Sequence, residues 1–171
     1  MLSTEDFKHL VRSAPLFSMD LVVLNEQKQI LVGKRKNAPA KGYWFVPGGR
    51  VFKDESLVEA FSRITRTELG FEFDYLYATQ LGLYDHFYSD SVFGEDISTH
   101  YINASYLIQL PEETVLDLPT AQYQEYRWIS LDELNQDVTV HEYSKVFVDC
   151  IHSQLLNDRY LRNKNLVDIK C

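Results

Sequence analysis

The stretch from Gly48 to Phe71 constrains this chain most. A glycine pair, Gly48-Gly49, leads into Arg50, a charged turn, and an amphipathic run that closes on a third glycine. The run Glu55–Leu69 sets Leu57, Ala60, Phe61 and Ile64 on one face, which predicts a helix that must bury that face against a neighbouring layer. Asp54 or Ser56 can cap its start, and Ser56 with Glu59 fits the reciprocal capping pattern. Gly70 stands where a left-handed residue ends a helix without steric cost.

Strand-like runs flank that helix. Leu16–Leu24 and Gln29–Lys34 read as strands joined by the polar hairpin turn Asn25 to Lys28. A Pro/Gly-containing loop, Asn37–Gly42, precedes the short apolar strand Trp44 to Val46. Tyr75–Tyr84, Thr99–Gln109 and Tyr126–Ile129 complete the predicted strands, with an aromatic, polar loop, Asp85–Ile97, between the first two. Further helices are predicted over Thr4–Ser13, capped by Ser3 or Thr4, over Leu131–Asn135 behind Ser130, and over Ser144–Leu156. Strands around one central helix give an α/β domain of the α+β kind. It is not a doubly wound nucleotide fold, because neither a Gly-x-Gly-x-x-Gly loop nor a P-loop is present.

Composition narrows the function. A chain of 171 residues, 45% hydrophobic and 13% aromatic, suits one domain with a real core. No apolar run is long enough to span a bilayer, so no membrane partner is expected. The acidic start, Glu5-Asp6, is unlike a secretory signal. A net charge of −8 disfavours nucleic acid as a partner, since non-specific binding needs phosphate neutralisation by Lys and Arg. It leaves room for a small nucleotide held by a few local cations. Cys150 and Cys171 form no framework, which points to a reducing compartment, and the expected localisation is cytoplasmic.

Gly49, Glu55, Arg63, Glu68, Gly70 and Phe71 fall in register with the signature of the Nudix hydrolases, and the chain resembles that family over roughly residues 2–150. Three positions depart from the signature. Ile64 and Thr67 stand where glutamates are usual, and Thr65 replaces a hydrophobic residue. The depleted signature is similar to that of the family's GDP-mannose mannosyl hydrolases. So are the flanks Gly33-Lys34-Arg35, Gly42 through Arg50, His86-Phe87-Tyr88, Thr99-His100-Tyr101 and Tyr126-Arg127-Trp128.

The resemblance implies a Nudix fold, a mixed β-sheet sandwiched between helices in a single domain over residues 1–156, with 157–171 as a loosely ordered tail. It implies one Mg²⁺ per subunit, held by Glu68, the Gly48 carbonyl and the Gln122 amide oxygen. Such a cation takes hard oxygen ligands and keeps waters and phosphate oxygens for its other positions. Arg35 and Arg50 are assigned to the diphosphate of a nucleotide-sugar substrate, which a guanidinium fork grips bidentately. Arg63 is expected to brace Glu55. Asp20, His86 and Tyr101 are placed near the sugar or phosphates, Leu2, Ser3 and Phe7 near the nucleotide, within one subunit or across a dimer interface, and the chain is expected to form a homodimer.

With two of the usual signature glutamates absent, the expected chemistry shifts to carbon. The resemblance implies that water attacks the anomeric carbon of GDP-mannose or a close GDP-hexose and that GDP leaves intact. The family's base, a His after the ligand Gln, is replaced here by Tyr123, which joins Arg35, Arg50 and His86 as a catalytic candidate, although an unperturbed Tyr with pKa about 10 is a poor base at neutral pH. His86, His100, Glu125 and His141 are alternative bases, and Gln124 an alternative ligand. Two other activities remain open: pyrophosphate hydrolysis at phosphorus, and nucleotide-sugar binding with impaired turnover.

Overall fold

The computed structural model describes residues 2–111, 114–153 and 155. The elements, in chain order, are α1 (Thr4–Ser13), β1 (Leu16–Leu24), β2 (Gln29–Arg35), β3 (Trp44–Phe45), β4 (Gly48–Arg50), α2 (Leu57–Leu69), β5 (Thr79–Tyr88), β6 (Thr99–Gln109), β7 (Tyr123–Ser130), α3 (Leu131–Gln136) and α4 (residues 148–153). The strands form one mixed sheet of seven, ordered β3-β2-β1-β6-β5, with β4 added to β1 and β7 to β2. β1 and β6 run parallel in unbroken register from Leu16↔Tyr101 to Leu24↔Gln109. The other pairs are antiparallel.

Both faces of the sheet are covered, as alternation along β1 requires. Met19, Leu21 and Val23 point to α2, where Phe61, Ile64 and Leu69 complete one core. Val22 and Leu24 point the other way, onto Leu131, Leu134, Phe147, Val148 and Ile151. A third, smaller cluster seats α1 through Val11, Leu16 and Ile97. Among the described residues no helix is long and apolar enough to cross a membrane.

Local signals act as the sequence suggests. Ser56 and Glu59 form the reciprocal cap of α2, and Gly70 ends it at φ +80. There a Cβ would stand 2.5 Å from the Asp117 backbone. Ser3 caps α1, and Ser130 caps α3.

Four boundaries differ from the sequence expectation. Tyr75–Tyr77 is a 3-10 turn, capped by the Asp74 carboxylate on the Leu76 N–H, so the strand expected at Tyr75 starts at Thr79. It then continues to Tyr88, because β6 pairs it as far as Tyr88↔Thr99, and the expected loop Asp85–Ile97 shortens accordingly. β7 starts at Tyr123 rather than Tyr126, drawn into the sheet by the Arg35↔Tyr123 pairing. The helix expected from Ser144 is preceded by a 3-10 turn at Glu142–Ser144, and α-helix begins at residue 148. The tail 157–171, Leu156 and Cys171 lie outside the described residues.

Candidate active site

β1 touches β2 only at the hairpin end, Leu24↔Ile30. Nearer its start β1 takes β4 as partner, from Ser18↔Arg50 to Asp20↔Gly48, while β2 takes β3 and β7. The sheet therefore divides, and a cavity of about 410 Å³ opens in this region. Ser18 and Asp20 of β1 line it with Gly48, Gly49 and Arg50 of β4. α2 adds Arg63, Ile64, Thr67 and Glu68, β5 adds His86 and Tyr88, and β6 adds Tyr101 and Asn103. Arg35, at the end of β2, and Gln122, just before β7, also line it.

One helix carboxylate reaches this space from α2. Glu68 is 2% exposed; its Oε1 accepts from Gln122 Nε2 at 2.9 Å, and its Oε2 is buried with no hydrogen-bond partner among the described residues. Burial pushes its pKa up to about 7, against the pull of the Arg35 charge. The other two signature positions carry no charge. Ile64 is buried, its Cγ1 3.2 Å from where a Gly49 Cβ would sit, and Thr67 donates its hydroxyl to the Arg63 carbonyl.

Gly48 is needed for close approach, since a Cβ there would fall 2.5 Å from the Met19 carbonyl oxygen and 2.7 Å from Asp20 Oδ1. Leu21 N–H donates to Pro47 O and Val51 N–H to Phe17 O, so Gly48 falls between hydrogen-bonded pairs and its carbonyl turns away from β1.

This donor set fits a divalent cation. The orphaned Glu68 Oε2, the outward Gly48 carbonyl and the Gln122 amide oxygen, which no donor among the described residues claims, are hard oxygen ligands. Among the described residues no three His, Cys, Asp or Glu side chains gather into a larger metal cluster. An ion held here keeps most of its coordination for water and phosphate.

Three arginines line the cavity and differ in what holds them. Arg63 is committed to structure: its Nε and Nη2 grip the Glu55 carboxylate at 2.6 and 2.8 Å, and Nη2 also donates to the Arg50 carbonyl at 2.7 Å. That pairing, led by the hydrogen bond from Arg63, holds the Glu55 carboxyl below its usual range. Arg35 spends one N–H, Nε, on the Pro39 carbonyl at 2.9 Å. Arg50 pairs with no carboxylate among the described residues and lies over the Phe7 ring, 4.0 Å from its centroid. Arg35 and Arg50 thus keep donors free for an anion.

Of the candidate bases, His86 alone among the histidines lines the cavity. It is 2% exposed, stacks on Tyr143 with ring centroids 4.1 Å apart, and burial with the His141 charge lowers its pKa to about 4. It is neutral at pH 7. His100 lies outside the lining, 3.2 Å from Asp85 and stacked on Phe87. His141 accepts the Tyr143 N–H, and Glu125 is exposed beside Lys34.

Tyr123 requires a correction. It is 0% exposed, stands outside the lining, and its hydroxyl is buried with no partner among the described residues. Its ring fills the space left by Gly33, where a Cβ would come within 2.4 Å. Burial first, then the Glu68 charge, raises its pKa well above the ordinary value. The first residue of β7 is drawn inward, and the sequence position after Gln122 does not face the cavity. Leu2, Ser3 and Phe7 also stand outside the lining. Leu2 is exposed, Ser3 caps α1, and Phe7 packs on Arg50 and Phe93.

Sequence reading missed the polar floor. Asn103 Nδ2 donates to Ser18 Oγ at 2.9 Å, and Ser105 Oγ to Asn103 Oδ1 at 2.9 Å. Above it Asp20 is 7% exposed, with Oδ2 unpartnered. Burial raises its pKa to about 7, against hydrogen bonding from Asn103 and the Arg35 charge. The available signal was polar residues two apart within strands, Ser18 beside the expected Asp20 in one and Asn103 with Ser105 in the other.

Comparison with known proteins agrees with this architecture. The NUDIX domain family matches residues 15–150. The chain is 40% identical over 121 residues to the low-salt glycan biosynthesis protein Agl8 of Haloferax volcanii, across 70% of this chain and 74% of that protein. Its fold is similar to the MutT protein of Methanosarcina mazei Go1 (TM-score 0.65, 21% identity, 83% of this chain and 96% of that one). It is also similar to the NUDIX domain of Shewanella oneidensis NrtR, solved with ADP ribose (TM-score 0.62, 18% identity, 90% and 99%). The fold and site define a Nudix hydrolase architecture, and the chain belongs to the Nudix family.

Proposed function

We propose that the protein hydrolyses a nucleoside-diphosphate sugar, GDP-mannose or a close GDP-hexose, by water attack at the anomeric carbon, releasing GDP and the free sugar. The observation that carries this reading is the single carboxylate of α2 in the cavity: Glu68 with Gln122, beside the uncharged Ile64 and Thr67. One cation site can offset charge on a departing diphosphate, but it lacks the carboxylates that would hold further ions beside an attacked phosphorus. One relative lends support, in that it carries glycan biosynthesis in its name.

Glu68, Gln122 and the Gly48 carbonyl would hold Mg²⁺, which supplies Lewis-acid stabilisation of the leaving group. Arg35 and Arg50 present free N–H groups to the diphosphate oxygens and favour the charge that develops there. Ser18, Asp20, Asn103 and Tyr101 offer hydrogen-bonding partners suited to sugar hydroxyls. The proton of the attacking water goes to a cavity-lining group, and besides Glu68 the lining acceptors are Asp20 and neutral His86. A cytoplasmic homodimer with its catalytic domain over residues 1–156 completes the proposal.

The test is hydrolysis of GDP-mannose with Mg²⁺ in ¹⁸O-water. Label in the sugar, with unlabelled GDP, supports attack at carbon. GMP with mannose phosphate refutes it.

A further inference from the structure

α1 lies before residue 15, where the family match begins, and none of its residues lines the cavity. It is nonetheless joined to the cavity, through Tyr101, which packs with its Val11 cluster, and through Arg50. The Arg50 guanidinium lies 4.0 Å from the centroid of Phe7, on α1, and 5.9 Å from that of Phe52. Phe7 is itself backed by Phe93 at 5.4 Å, and the pair belongs to the cluster of Val11, Leu16 and Ile97 that seats α1 on the rest of the fold.

The manner of holding matters chemically. A carboxylate would fix Arg50 by occupying its donors and cancelling its charge, as Glu55 does to Arg63. An aromatic face attracts the cation from above its plane, so the in-plane N–H groups and the charge remain for an anion. The hydrogen bond from Arg63 Nη2 to the Arg50 carbonyl fixes the Arg50 backbone and leaves its side chain to the ring.

We propose that Phe7 is a positioning residue, which holds the Arg50 side chain over the cavity by a cation–π contact and so makes α1 part of the diphosphate-binding machinery. The inference rests on the reading of Arg50 as a diphosphate ligand. It assigns Phe7 a role other than contact with the nucleobase.

The experiment measures binding of GDP and of inorganic pyrophosphate, by calorimetry, to the full chain and to Phe7→Leu, Phe7→Tyr, Arg50→Ala and Phe7→Leu/Arg50→Ala. Phe7→Leu is expected to weaken both probes by the same factor, about threefold to tenfold, while Phe7→Tyr restores wild-type binding. In the Arg50→Ala background Phe7→Leu should add nothing. Replacing Phe7 by phenylalanines of increasing fluorine content weakens the ring's attraction for a cation with little change of shape. Binding of both probes should then fall stepwise while Tm stays constant, a trend that a merely structural role would not produce.

Weakened GDP binding with unchanged pyrophosphate binding would mean that Phe7 stacks on the base, and would overturn the inference. So would multiplicative effects of the two substitutions, or no change in Phe7→Leu. If Arg50→Ala binds both probes as wild type does, the diphosphate assignment of Arg50 fails and this inference fails with it. Failure in the Phe7 variants alone leaves that assignment standing.

Discussion

Tyr123→Phe separates a catalytic tyrosine from a packed one. The Tyr123 side chain is 0% exposed and its hydroxyl has no hydrogen-bond partner. A buried, unsatisfied hydroxyl costs about 1–3 kcal/mol of desolvation. Removing one oxygen leaves a small void, which at about 24 cal/mol per Å³ costs a few tenths of a kcal/mol. The desolvation term wins, so the variant should be more stable by about 1–2 kcal/mol. For a chain of this size that corresponds to a Tm rise of roughly 2–8 °C. Activity should stay within about twofold of wild type, whereas loss of a general base costs about 10²–10⁴-fold. Differential scanning calorimetry and steady-state kinetics at saturating GDP-mannose read the two quantities. A lower Tm, or a fall in kcat of a hundredfold or more, would refute the reasoning.

Glu68 gives a pH signature. Burial raises its pKa from 4.5 to about 7, so between those values the metal-free native state holds a proton that the unfolded chain has released. This group's contribution to stability therefore falls as pH rises from 4.5 to 7. Urea titrations of the metal-free protein should show Glu68→Gln gaining on wild type across that window, and titrations with Mg²⁺ added should show it lacking the wild-type stabilisation by the ion; parallel metal-free curves would contradict the cause assigned to the shift. Asp20→Asn and His86→Gln, assayed separately for kcat, identify the proton acceptor: its removal costs about 10²–10⁴-fold, and two variants both within tenfold of wild type would exclude both groups. Gly48→Ala drives a Cβ to 2.5 Å from the Met19 carbonyl oxygen. The variant should lose about 1–3 kcal/mol of stability and most activity, read by thermal melts and turnover, and wild-type turnover would argue against a close β1–β4 approach at the site.

Local chemistry made much of this legible. The Ser56–Glu59 cap, the Gly70 stop and the Arg63–Glu55 brace depend on residues close in sequence or on one helix end, and each stands as the sequence implies. Long-range pairing was less visible. β4 is Gly-Gly-Arg, with no strand propensity of its own, and exists because β1 presents an edge to it from Ser18 to Asp20. The last residues of β5, Asp85 to Tyr88, read as a polar loop until β6 supplies their partners. Tyr123 was misjudged for the same reason: its neighbour Gln122 faces the cavity, but pairing with Arg35 turns the tyrosine into the core beneath Gly33. The glutamates missing at Ile64 and Thr67 were legible as absences. Their physical meaning, an apolar side chain against Gly49 and a hydroxyl bonded to its own helix, needed the fold.

The central claim is that a cavity with one α2 carboxylate directs water to carbon. Its most direct test is the position of ¹⁸O after a single turnover of GDP-mannose in labelled water, read by mass spectrometry of both products. The account predicts ¹⁸O on mannose and none on GDP. Label on a phosphate, in GMP or in mannose phosphate, would contradict it.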